Sequence, residues 1–321
     1  MAEDILGIHS LGGLTRLDSV FEIFETEMLE ASSSCGGFIK GVPTGFPSLD
    51  TAINGWKKGC VSILAGYAGV GKTTLALNFV HNVIFNEEHS IPTLYISLGS
   101  TEVQIIKRLF SIHLSKDHLL TSIDKEDKDA RTKTFEQSRE DFLSAPFYID
   151  ANPRLEYDKL RKTISEIMVD HPIGLVVIDY INIMQPPAVY QGMREQEISA
   201  ISRELKHVAR ELEVPILAIA TLKRPHKDTH SRPKLSDLKE SNALEYDADE
   251  IMFLSENTYY GLSEDPDDCN KARLVLEKNR HGYTTDIDLQ YDRINGLIRE
   301  REIIEAFSEM NDDSSDNDEF M

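Results

Sequence analysis

The chain has 321 residues, 40% of them hydrophobic and 28% charged, with a formal net charge of −21. That balance excludes a protein that coats nucleic acid with its outer surface, but not one that grips a strand in a channel lined by a few basic loops. There is no apolar run of about eighteen residues to cross a membrane. The three cysteines (Cys35, Cys60 and Cys269) form no CxxC pair, which suits a reducing cytosol rather than a disulfide framework or a zinc site.

The N-terminus, "MAEDILGIHSLGG", lacks the basic and apolar regions of a secretory signal. Residues 1–40 form a first segment. Within it Leu17, Val20, Phe21, Ile23, Phe24 and Leu29 recur at three- and four-residue spacings, which predicts an amphipathic helix over roughly 14–31. Such a helix must cover something apolar, either its own domain or a neighbouring subunit. "SSSCGG" then reads as a break.

From residue 41 to about 300, short β-rich runs alternate with helical stretches. The runs are "CVSILAG", "PTLYISL", "PFYID", "GLVVIDY", "VPILAIA", "EIMFLS" and "ARLVLEK". Continuous apolar strands alternating with helices predict an α/β fold, a mainly parallel sheet flanked by helices. "KARLVLEKNR" and "TTDIDLQYD", joined by "HGY", predict a C-terminal antiparallel β-hairpin. The last segment, 301–321, ends in "SEMNDDSSDNDEFM". Its six acids and no base predict a disordered acidic tail.

"GYAGVGKT", Gly66 to Thr73, fits GxxxxGK[ST] and lies between a strand and a helix, as that phosphate-binding loop requires. Backbone N–H groups of Gly66, Ala68, Gly69, Val70, Gly71 and Thr74 would face phosphate oxygens at the positive helix end. Lys72 would reach the β/γ-phosphates of ATP, and the Thr73 hydroxyl would hold Mg²⁺. Asp179 ends the apolar strand "GLVVIDY", where an acid can hold the same metal through water. "LKRPHKDTHSRPK", Leu222 to Lys234, is the most basic stretch of an acidic chain.

The blocks "GVPTGFPSLD", "GYAGVGKTT", "YISL", "FYIDANP", "GLVVIDYINIM", "RPKLSDLKESNALEYDADEIMFL" and "EKNRHGYT" occur in the order and spacing of one family. Across about 260 residues the chain resembles the C-terminal ATPase domain of DnaB-type replicative helicases. The resemblance implies a RecA-like core assembled as a homo-oligomeric six-membered ring. ATP would sit between subunits, with single-stranded DNA in the channel and translocation 5′ to 3′. It implies that Lys278 and Arg280 of "KNR" reach into the next subunit's ATP site, and that Arg224, Lys239, Glu240 and Asn242 contact DNA. It favours docking of the N-terminal helix on the adjacent subunit and implies a cytoplasmic protein of bacterial or phage origin. The family's N-terminal collar domain has no counterpart in the forty residues ahead of the core. The acidic tail, a charged lead with the apolar tip Phe320 and Met321, has the composition of a tether for a replication partner.

Two positions depart from the family. Its strand motif "SLE" is here "SLG", so Gly99 stands where an acid activates water. Groups of that kind contribute about 10²–10⁴-fold, which predicts slow hydrolysis. Glu102 could substitute, but Thr101 and Gln104 around it predict a capping box that explains the acid structurally. Thr221 replaces a glutamine that senses the γ-phosphate in the family. A helicase and a ring that binds ATP but hydrolyses it poorly therefore both stand at this stage. A recombinase-like ATPase is disfavoured by "SDLKESNALEYDADEIMFL".

Overall fold

The computed structural model describes residues 39–116, 128–222, 233–238, 242–256 and 270–301, together with Phe21 and Glu25, both helical. The chain divides into two compact units, residues 1–40 and 41–321. The rest of the predicted N-terminal helix and the acidic tail lie outside the described residues.

The second unit opens with α1 (Pro47–Ile53), started by proline at its first turn. Asp50 fixes the approach to it by accepting the Thr44 and Gly45 N–H groups at 2.8 and 3.1 Å. Then come β1 (Val61–Tyr67), α2 (Lys72–Ile84), β2 (Thr93–Ser97), α3 (Glu102–Lys116), α4 (Lys128–Ser144) and β3 (Phe147–Asp150). The core continues with α5 (Leu160–Asp170), β4 (Leu175–Asp179), α6 (Arg194–Glu211), β5 (Ile216–Leu222), α7 (Asn242–Asp247) and β6 (Glu250–Ser255). Three further strands, β7 (Lys271–Asn279), β8 (Thr285–Asp292) and β9 (Leu297–Glu300), close the sheet.

The sheet order is β3-β2-β4-β5-β1-β6-β7-β8-β9. The first six strands are parallel and the last three joins antiparallel. β1, β2, β4 and β6 are buried along their whole length, which explains their unbroken apolar runs. Alternate residues feed two cores: Ile63, Ile96 and Ile178 on one face, Leu64, Tyr95 and Val177 on the other. The expected mainly parallel, RecA-like architecture and the terminal hairpin are both present. β9 is not expected from the sequence: "GLIRE" is short, and only the turn at Gly296 (φ +77°) announces it.

This topology gives the sheet two chemically different edges. Parallel strands put the ends of β1, β2, β4 and β5 on one edge, where ligands of open α/β sheets bind. β7 runs the other way, so Asn279 pairs with Glu250 at the start of β6. The hairpin bend at residues 280–283 therefore stands at the opposite edge.

Candidate nucleotide site

A cavity of about 630 Å³ opens at the C-terminal edge of the parallel strands. It is lined by Ala68, Gly69, Gly71, Lys72, Thr73 and Thr74 of the loop after β1, and by Asp179 and Thr221 of β4 and β5. The loop depends on a glycine at 71. Its φ is +102°, and a Cβ there would lie 2.9 Å from the Tyr291 ring.

Thr73 donates its hydroxyl to Asp179 Oδ2 at 2.8 Å, and the buried Tyr95 hydroxyl donates to the same oxygen at 2.8 Å. Burial pushes the Asp179 carboxyl up, while these two hydrogen bonds and Lys72 pull it down. A hydroxyl and a carboxylate side by side form an oxygen donor set suited to a hard divalent cation.

Lys72 is buried, with its Nζ on the Tyr67 carbonyl at 2.9 Å. Burial lowers its pKa to about 8, opposed by Asp179. An entering polyanion reverses that by stabilising the ammonium. ATP binding near pH 8 is thus expected to take up about half a proton, and affinity should weaken as pH rises further. Titration calorimetry in buffers of different ionisation enthalpy reads this directly; no buffer dependence would contradict it. Folding carries the linked sign: the unfolded chain holds this proton to higher pH. Without nucleotide, the group's burial penalty is therefore relieved as pH rises above about 8.

Gly99 follows β2 directly. Ser97 pairs with Asp179, and the Leu98 N–H donates to the Asp179 carbonyl at 2.7 Å. The position thus abuts the metal-binding strand end, beside Tyr180, which lines the cavity. Glu102 begins α3, is exposed, and is not among the cavity's lining residues. The capping box is present: the Thr101 N–H donates to Gln104 Oε1 at 3.0 Å and the Gln104 N–H to Thr101 Oγ1 at 3.4 Å. Thr221 is fixed through its backbone, donating to Asn182 Oδ1 at 2.6 Å and accepting from Asn182 Nδ2 at 3.2 Å.

Lys278 and Arg280 are not among the cavity's lining residues either; they belong to the opposite edge. Lys278 Nζ donates to the carbonyls of Glu245 and Ala248, and Arg280 to Asp249 and the Tyr246 carbonyl. Burial lowers the Lys278 pKa, with Arg280 adding to the effect. Of the expected DNA contacts, Arg224, Lys239 and Glu240 lie outside the described residues. Asn242 is described only as the first residue of α7.

Several lining groups are not evident from sequence. Lys107 and Arg108 of α3 add positive charge, and Tyr291, Arg293, Asn295 and Gly296 close the cavity from the β8–β9 turn. Arg293 pairs with Glu256 and lies over the Tyr291 ring, 4.9 Å from its centroid. Tyr95, the residue that holds Asp179, reads in the sequence only as part of an apolar run.

A family model described as the DnaB-like helicase C terminal domain matches residues 41–296. The chain belongs to the DnaB-like helicase C-terminal domain family. A probable replicative DNA helicase of Trieres chinensis is 32% identical over 288 residues, which are 85% of this chain and 60% of that protein. The replicative DNA helicase DnaC of Bacillus subtilis is 30% identical, over 79% of this chain and 55% of its own length. This DnaB-like domain thus spans somewhat over half of those relatives. Among solved structures, one helicase-like ATPase domain superposes with a TM-score of 0.77 at 28% identity, covering 88% of this chain and 99% of that one. A DnaB-like replicative helicase solved for its interactions with primase gives 0.75 at 28% identity, over 89% and 70%. The RadB recombinase, at 0.51 and 18% identity, shares the fold. No helix among the described residues is long and apolar enough to cross a membrane.

Proposed function

We propose that this chain is the motor of a ring-forming replicative DNA helicase, driven by ATP and moving 5′ to 3′ on single-stranded DNA. One observation carries the reading. Lys72, Thr73, Asp179 and Thr221 converge on one cavity, while Arg280 sits on the other edge of the same sheet. A nucleotide in that cavity meets Arg280 only if a second copy supplies it. The named relatives support a motor over a ring that merely binds nucleotide.

In this reading Lys72 binds the β/γ-phosphates of ATP, and Thr73 and Asp179 hold Mg²⁺, which neutralises charge developing on the phosphates. Tyr95 keeps the Asp179 carboxylate aimed into the cavity. The basic segment with Arg224, and Lys239, Glu240 and Asn242, grips DNA phosphates without reading bases. Six copies form the ring, the N-terminal helix docks on a neighbour, and the acidic tail tethers a replication partner. By domain, residues 1–40 are the linker, 41–300 the motor and 301–321 the tail.

Lys72→Ala is expected to lower ATP turnover about 10²–10³-fold, the usual cost of one preorganised charge donor. Turnover with and without single-stranded DNA, and unwinding of a forked duplex, test the assignment. Turnover that survives Lys72→Ala, or that DNA fails to stimulate, overturns it.

A further inference from the structure

Beneath the hairpin bend lies a buried cluster that the nucleotide site does not use. Its centre is Asp249, whose side chain is 2% exposed, at the start of β6. Asp249 Oδ2 accepts the Val61 N–H at 2.8 Å and Lys206 Nζ at 2.5 Å. Asp249 Oδ1 accepts Arg280 NH1 at 3.1 Å, and the Tyr246 carbonyl accepts Arg280 NH2 at 2.8 Å. The Arg280 N–H donates to the Asp249 carbonyl at 2.9 Å. Three contacts thus fix one residue's backbone and both terminal nitrogens.

Cys60 and His281 also approach Asp249, and the three ligand atoms lie within 4.8 Å of one another. Both carboxylate oxygens already hold nitrogen donors, so the cluster is an ion-pair hub rather than a metal cage. Burial pushes the Cys60 thiol up to about 11 and is the main cause lowering the His281 pKa. It also pushes the neighbouring Glu250 carboxyl towards its neutral form. Lys206 and Arg280 therefore share one carboxylate, and a positive charge is left over at the exposed end. The Arg280 side chain is 45% exposed, and only two of its five guanidinium donors are used in these two bonds.

The bend itself is rigid. Asn279 Nδ2 donates to the Ala52 carbonyl at 2.9 Å, and a Cβ on Gly282 would lie 2.5 Å from that same carbonyl. Only glycine lets the hairpin pack so closely on α1.

We propose that Asp249 is a positioning residue: it presets the Arg280 guanidinium that completes a neighbouring protomer's nucleotide site. The inference rests on the ring reading above. A flexible cation at an interface spends most of its time misplaced, whereas one held in a fixed fork meets the phosphate ready oriented. Asp249 acts through Arg280 and touches no nucleotide itself.

The test is a double-mutant cycle on DNA-stimulated ATP turnover, run under single-turnover conditions where rates are low. Asp249→Asn is expected to lower kcat about 10–100-fold, the cost of an ångström-scale misplacement, with the KM for ATP little changed. In an Arg280→Ala background the same substitution should cost nothing further. Lys206→Gln removes another partner of the same carboxylate and should keep the parental kcat. Additive losses, or an equal loss in Lys206→Gln, would reduce Asp249 to a structural anchor and overturn the proposal. If Asp249→Asn does not fold, Asp249→Glu keeps the charge and should show a smaller loss with the same non-additivity; additivity there overturns it equally. Arg280→Ala without effect removes the ring reading as well. Arg280→Ala that disables the enzyme while Asp249→Asn does not removes only this proposal.

Discussion

Arg280→Ala is expected to cut DNA-stimulated ATP turnover by about 10³–10⁵-fold while the chain still binds nucleotide. The size follows from the chemistry of phosphoryl transfer. Charge spreads over the γ-phosphate oxygens, and a guanidinium stabilises it with a planar, permanently charged fork. Nucleotide binding should persist because Lys72, Thr73 and Asp179 line the cavity without Arg280. A fluorescent ATP analogue measures binding, and single-turnover hydrolysis measures the loss. Mixing supplies the sharper readout. Lys72→Ala and Arg280→Ala chains are each inactive in this scheme, but a shared ring contains interfaces with one intact Lys72 facing one intact Arg280. Recovered turnover in the mixture supports action in trans. Two inactive proteins that stay inactive when mixed, in rings shown to exchange subunits, contradict it.

Gly99→Glu is expected to change the rate in the other direction, raising turnover by about 10²–10⁴-fold. The backbone position has no φ in the left-handed region, so a side chain is not barred on that ground. Space is the tighter condition. A Cβ would lie 3.1 Å from Tyr180 Cε1 and 3.7 Å from Ile183 Cδ1, so the tyrosine ring must give by a few tenths of an ångström. Gly99→Ala controls for this contact: it adds the Cβ without the acid and should bring no gain. Glu102→Gln supplies the complementary arm. Glu102 is exposed and belongs to a formed capping box, so its amide variant should keep the parental rate. A collapse of turnover there would make Glu102 the working base and remove the reason for expecting a gain at Gly99.

The strands were legible because parallel, doubly covered strands are apolar throughout, and "VSILAGY" or "LVVID" has few alternatives in sequence. The phosphate loop was legible because it depends on glycines at fixed spacing, of which Gly71 is sterically required. Tyr95 was not, since an aromatic inside a buried strand looks the same whether its hydroxyl is bonded or not. Arg293 and Asn295 were hidden for another reason. They reach the cavity through a β8–β9 turn more than 200 residues beyond the loop they face, and only the folded sheet order brings them there. Arg280 was identified by resemblance. Its tether to Asp249 rests on the antiparallel return of β7, which places "DADE" beneath "KNR".

The two edges of the sheet limit how copies of this chain can associate productively. A two-fold dimer joins identical surfaces, so it places cavity against cavity or bend against bend. Neither arrangement brings Arg280 to Lys72. Only head-to-tail stacking does, and its repetition gives a closed circle or an open spiral. A circle completes as many sites as it has members, while a spiral leaves its last cavity without a donor. Opening such a ring to admit a strand would therefore silence one site, at the gap.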